Sequence, residues 1–237
     1  MNDFLEAILL GIVQGITEFL PVSSSGHLEL AKFLTGNEVA GERSLLFTVL
    51  LHFATALATL WVFRKEVAEI LQACLQKPIN ESQRFILMIV ISMLPAVAVG
   101  LYFDDLIASL FSQRLVLVGI ALLVTALLLF FADLPKLTDQ KVTYGKALLL
   151  GMAQAVAIIP GISRSGATIS TAILLKIDRD RAARFSFLMV VPLILGKMTK
   201  DVLDGAFLQS DGGVVLIIGF LAAFISGALA CQWMIRL

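Results

Sequence analysis

The chain has 237 residues, 59% of them hydrophobic and 15% charged, where a typical soluble domain has about 45–50% and about 25%. Mean hydropathy is +0.94, and 18 Lys plus Arg balance 18 Asp plus Glu. These figures exclude a soluble globular domain, a disordered chain and a disulfide scaffold, and with no net charge or basic tail they give nucleic acid nothing to bind. The two cysteines, Cys74 and Cys231, lie far apart and belong to no metal-ligand spacing. The expected class is an all-α, polytopic membrane protein.

Uncharged runs close to the ~17–25 residues that a bilayer requires fall at 45–63, 85–103, 115–132 and 212–235. A shorter run, 185–196, is bounded by Arg184 and Lys197, which can snorkel from its ends. These are five predicted spans. Two further apolar regions are broken. Residues 7–28 are interrupted by Glu18 and by Leu20-Pro21-Val22-Ser23-Ser24-Ser25-Gly26; residues 147–175 are interrupted by Pro160-Gly161-Ile162-Ser163-Arg164-Ser165-Gly166. In lipid, irregular backbone survives only inside protein or against a watery cavity. Both regions therefore predict re-entrant helical hairpins. The N-terminus carries Asp3 and Glu6 and no basic residue before Lys32, so no signal peptide is expected.

The broken regions repeat each other without a gap, at the offset that relates Gly11 to Gly151. Leu9, Leu10, Gly11, Gln14, Ser23, Ser25 and Gly26 recur as Leu149, Leu150, Gly151, Gln154, Ser163, Ser165 and Gly166, and Phe47 recurs as Phe187. An odd number of spans separates the copies, which inverts the second and sets the two turns face to face near the midplane. The expectation is one membrane domain, 1–237, with inverted repeats of about 1–140 and 141–237. Lys and Arg gather in the loops 64–84, 133–146 and 176–184, which places that side in the cytoplasm. Asp104, Asp105, Asp133, Asp178, Asp180, Asp201, Asp204 and Asp211, near span ends, read as solvated loop charge. The 115–132 span has no counterpart before Leu237, so either a last helix is missing or the second half is shorter.

Glu18 and Arg164 interrupt the hairpins, and an ionisable group within a membrane is a functional-site hypothesis by default. The simplest structural alternative is an ion pair that only ties the hairpins together. It leaves the serines unexplained. Each Ser-x-Ser-Gly leads into an apolar helix whose N-terminus suits an anion such as phosphate. The serines can donate, cap a helix or supply a nucleophile; Gly26 and Gly166 permit close backbone approach; Arg164 can hold phosphate bidentately. His27, beside this turn, is the candidate acid or base, and His52 reads as structural. Gln14, four residues before Glu18, can orient a water or give an oxygen to a hydrated divalent cation.

Gln14-Gly15-Ile16-Thr17-Glu18-Phe19-Leu20-Pro21-Val22-Ser23-Ser24-Ser25-Gly26-His27 resembles the first signature of the bacitracin-resistance type undecaprenyl-diphosphate phosphatases, which begins with Glu or Gln and has Glu four residues on. Pro160-Gly161-Ile162-Ser163-Arg164-Ser165-Gly166-Ala167-Thr168 resembles the second, and Phe185-Ser186-Phe187-Leu188 followed by Pro192 is similar too. The resemblance implies a hydrolase of the bacterial inner membrane, with its active site open to the periplasm. It would convert undecaprenyl diphosphate to undecaprenyl phosphate and inorganic phosphate, recycling the carrier lipid of peptidoglycan synthesis and conferring bacitracin resistance. It implies a divalent cation, Mg2+ or Ca2+, catalytic roles for Glu18, Ser24, His27 and Arg164, and phosphate contacts from Ser23, Ser163, Ser165 and Thr168, with Ser25, Gly26 and Gly166 in the same turns. Gln14 weakens any metal role at its position, because an amide carries no charge. Attack by serine or by water, and Glu18 or His27 as base, stay open. The rival class is an inverted-repeat transporter or flippase for a phosphate or lipid phosphate. Small residues in 219–230 suit packing against a second copy as a homodimer.

Overall fold

The computed structural model describes residues 3–35, 42–74, 80–103, 107, 109–110, 114–133, 139–204 and 213–236. Its main helices are α1 (Asp3–Phe19), α2 (Ser24–Leu34), α3 (Glu42–Val62), α4 (Arg64–Cys74), α5 (Glu81–Tyr102), α6 (Leu115–Asp133), α7 (Tyr144–Val156), α8 (Arg164–Leu174), α9 (Arg179–Leu203) and α10 (Gly213–Arg236). Among the described residues there is no strand, only an isolated bridge between Gln140 and Ile177. Loop charges Lys77, Asp104, Asp105, Lys136 and Asp211 lie outside the described residues.

Large apolar side chains such as Phe19, Phe185 and Phe187 are buried in the core, and many others face outward. In α6, Val118 and Ala121 are buried while Val116, Leu123 and Leu127 are exposed, the pattern of a helix whose outer face meets lipid. By length and composition α5, α6, α9 and α10 can each cross a membrane, and α3 with α4, bent by 75°, forms a fifth candidate. Both broken regions are helical hairpins: α1–α2 and α7–α8.

Three boundaries differ from the sequence reading. The 64–84 segment, read as a loop, contains α4, because a polar stretch can still be helical when one face packs. Helix α5 starts at Glu81, four residues early, on a reciprocal capping box between Asn80 and Gln83. The run 185–196 is the middle of a 25-residue helix, α9, whose charged ends remain helical; Asp178 caps it by accepting from the Arg181 amide at 3.1 Å. Asp178 is thus a cap rather than a free loop charge, and Asp133 and Asp201 pair with Arg179 and Lys197.

The hairpins pack across the two copies as well as within them. Helix α1 lies along α10, and α7 lies along α5. At the tips, a Cβ added to Gly26 would stand 3.0 Å from Gly161 Cα, and one added to Gly166 would stand 3.1 Å from Pro21 O. Gly26 and Gly166 are equivalent, as are Pro21 and Gly161, so the contacts are reciprocal, as two-fold related surfaces require. The small residues Gly219, Ala223 and Gly227 are buried within the chain. Gly219 faces Phe47 and Leu51, and Gly227 faces Thr55, Phe19 and Ala58. That stripe packs inside the chain.

The α1–α10 seam admits no extra atom at Gly15: a Cβ there overlaps Ser226 Oγ and stands 2.6 Å from Gly227 N and 2.8 Å from Ala223 O. Gly15→Val should destabilise the protein by about 1–3 kcal/mol, seen as a lower thermal midpoint in detergent. Gly145→Ala, where nothing lies within 4 Å, should leave the midpoint unchanged.

Candidate active site

The two hairpin turns end in the same way. Ser23 Oγ accepts the Gly26 amide at 3.2 Å and Ser163 Oγ accepts the Gly166 amide at 3.0 Å, so each serine caps the helix that follows. Ser23 does so at φ 72°, in the left-handed region that a serine rarely occupies. The first helical residue after each cap is Ser24 in one copy and Arg164 in the other. Positions aligned in the sequence repeat thus carry a hydroxyl and a guanidinium, and both reach one carboxylate.

That carboxylate is Glu18, at the last turn of α1 and 7% exposed. Its Oε1 is ion-paired with Arg164 Nη2. Its Oε2 accepts from Ser24 Oγ at 2.6 Å and from Gln14 Nε2 at 2.9 Å, and His52 Nε2 stands 3.6 Å away. A buried ion pair is tolerable only when its remaining bonding capacity is met, and here it is. Arg164 Nη1 donates to Ser186 O at 3.2 Å, and Thr168 Oγ1 donates to Arg164 O at 2.8 Å while meeting Ser186 Oγ at 2.5 Å. Ser165 Oγ reaches Glu18 O at 3.4 Å and Leu20 O at 3.3 Å, fastening the second hairpin to the first. Thr125 of α6 steadies the second turn, accepting from the Ser163 amide at 2.9 Å and donating to Gly161 O at 3.0 Å.

These groups open into a cavity of about 350 Å³. Glu18, Ser23, Ser24, Ser25, His52 and Arg164 line its polar end; Ala96, Ile158, Val190 and Leu193 line its apolar walls; Gln154 and Lys197 also face it. Gln14, Gly26, His27, Ser163, Ser165, Gly166 and Thr168 are not among its lining residues. Most of them act one layer behind, holding Glu18, Arg164 and the turns. Gly26 and Gly166 serve the approach of one hairpin to the other. His27 turns its Nδ1 to Ser23 O at 2.8 Å.

His52, read from the sequence as structural, stands beside the carboxylate. Its Nδ1 is fixed by Thr48 O at 2.8 Å and its Nε2 faces Glu18. Its sequence signal was that of Glu18 itself: an ionisable side chain inside an apolar span. Thr125 and Gln154 were also passed over. Thr125 carried no signal, since a lone threonine in a span is ordinary, whereas Gln154 repeats Gln14.

The described donor set does not fit a protein-held divalent cation. Among the described residues Glu18 is the one carboxylate that lines the cavity, both its oxygens are engaged, and no three His, Cys, Asp or Glu converge. Gln14 Oε1 is buried without a partner, but it is neutral and lies outside the cavity lining. A larger cavity of about 700 Å³ lies at the opposite helix ends, among Glu66, Glu81, Arg84, Lys141, Arg181 and Arg184. Its cations Lys141 and Arg184 pair with Glu81 and Glu66, and neither hairpin tip reaches it. The smaller cavity gathers a hydroxyl against a carboxylate, a guanidinium and two helix N-termini, groups that are chemically able to receive a phosphoryl group.

Known proteins share this sequence over nearly its whole length. The sequence profile of the family described as bacitracin resistance protein BacA matches residues 7–237. A protein of Christiangramia forsetii named undecaprenyl-diphosphatase is 57% identical over 99% of this chain and 89% of its own length. Proteins of the same name from Bacteroides thetaiotaomicron and Methanobrevibacter smithii are 44% and 35% identical, over 99% of this chain and 90% and 89% of theirs. The chain belongs to the bacitracin resistance protein BacA family.

Proposed function

We propose that the chain hydrolyses undecaprenyl diphosphate to undecaprenyl phosphate and inorganic phosphate, and so recycles the carrier lipid and confers bacitracin resistance. The observation that carries this reading is the convergence of Ser24 and Arg164 on Glu18 at the mouths of two facing helix N-termini. In phosphoryl transfer the charge spreads over phosphoryl oxygens, so fixed positive groups supply most of the catalysis. Arg164 and the start of α2 would hold the terminal phosphate. Ser24 Oγ attacks its phosphorus, the Ser24 proton passes to Glu18 Oε2, and the bridging P–O bond breaks to release undecaprenyl phosphate. Water then adds to the phosphoserine. Glu18 returns its proton to Ser24 Oγ as that bond breaks; one water proton stays on inorganic phosphate and the other leaves by way of His52. A Mg2+ or Ca2+ ion, expected from the family, would supply charge neutralisation if it arrived with the substrate, and no step above is routed through it.

The multi-pass chain would lie in the bacterial inner membrane with the cavity open to the periplasm. Supporting this, Thr48, Gly100 and Lys197 line the cavity from the ends of α3, α5 and α9 opposite the basic loops. The polyprenyl tail would leave between apolar walls into lipid. The repeat limits, about 1–140 and 141–237, stand as part of the same reading. The relatives' name favours hydrolysis over transport.

Three results are expected from purified protein in detergent with undecaprenyl diphosphate. Arg164→Ala and Glu18→Ala should each lower phosphate release by about 10²-fold or more; full activity in both would remove the site. Wild type quenched in acid should yield phosphoserine at Ser24, and Ser24→Ala turning over normally would require water as nucleophile. His52→Ala should lower kcat more than His27→Ala, and the reverse order would return the proton-transfer role to His27.

A further inference from the structure

Gln14 and Gln154 hold equivalent places in the two copies but have unequal surroundings. Gln14 Nε2 donates to Glu18 at 2.9 Å and to Thr55 Oγ1 at 3.4 Å. At the places of Glu18 and Thr55 the second copy has Ile158 and Leu195. Gln154 is 3% exposed, and neither its Nε2 nor its Oε1 has a hydrogen-bond partner. Yet it lines the cavity that holds Glu18, Ser24 and Arg164.

A buried amide with nothing to bond is costly, and native structures rarely keep one without a use. The second copy offers neither of the partners that Gln14 has. The cavity supplies the missing partner. An ionised diphosphate presents acceptors alone, and a carboxamide offers two N–H donors. Arg164 and the α2 N-terminus already serve one phosphoryl group.

We propose that Gln154 is a substrate-binding residue whose Nε2 donates to a phosphoryl oxygen of the lipid diphosphate. The identity of the ligand rests on the phosphatase reading; the contact itself rests on the unpartnered amide. The two copies have thus divided one glutamine's work: Gln14 positions the carboxylate and Gln154 meets the substrate.

The test is Gln154→Leu in detergent-solubilised full chain, with three readouts: thermal midpoint, phosphate release from undecaprenyl diphosphate, and equilibrium binding of its methylene-bridged bisphosphonate. The expected result is a midpoint equal to or above wild type, because an unpaired amide has gone, with binding and kcat/KM both weakened about ten- to hundredfold. Gln154→Met, unbranched and also unable to donate, should give the same losses and serves where leucine does not fold. Gln154→Glu, which sets a negative charge against the phosphate, should lose more. Wild type that binds the bisphosphonate but releases no phosphate would sink the phosphatase reading, while weakened binding in the variants would still support the contact. Variants that bind and turn over like wild type would overturn it, leaving Gln154 to bond water alone.

Discussion

Everything in the site depends on one buried pair. Glu18 and Arg164 are carried by different hairpins, 146 residues apart, and each would be prohibitively expensive in a membrane interior alone. Together, and with Ser24, Gln14 and Ser186 completing their bonds, they become affordable. The pair also fixes the relation between the two helix N-termini, since Ser24 and Arg164 are the first residues of α2 and α8. The same contact that closes the fold therefore assembles the phosphate-binding end of the cavity. A substrate diphosphate would compete with Glu18 for Arg164, which offers a means of coupling substrate entry to release of the carboxylate as a base.

The surrounding architecture serves to bring these two tips together. Lipid gives no hydrophobic drive between helices, so close packing of small residues must do the work. The seams of α1 with α10 and of Gly26 with Gly161 meet that need, and they join one copy to the other. Crossed packing of this kind makes neither hairpin independent of its opposite repeat. Outside this frame the helices present Val116, Leu123 and Leu127 to lipid, an inversion of the soluble pattern that follows from the solvent and not from the helix.

Much of this was legible in the sequence because membranes make polar residues expensive and therefore informative. The breaks at Glu18 and Arg164, the Ser-x-Ser-Gly turns and the repeat all follow from residues that apolar helices have no other reason to carry. What escaped had a physical cause. The limits of α9 were masked because charged residues at its ends remain helical. The roles of the serines were ambiguous because a cap and a ligand contact use the same hydroxyl: Ser23 and Ser163 proved to be caps, and Ser24 bonds the carboxylate. His27 drew attention by closeness in sequence to Glu18, whereas His52, on α3, is the histidine beside it in space. Nothing along the chain states which helices will be neighbours.

The most direct measurement is an experimental structure of the protein with the methylene-bridged analogue of undecaprenyl diphosphate. The terminal phosphonate should lie against Arg164 and Ser24, within the cavity that Glu18 and His52 line, with the polyprenyl chain leaving between apolar walls. A headgroup found instead at the opposite ends of the helices, among Arg84, Lys141, Arg181 and Arg184 with Arg164 still paired with Glu18, would contradict the claim that the paired hairpin tips form the active site.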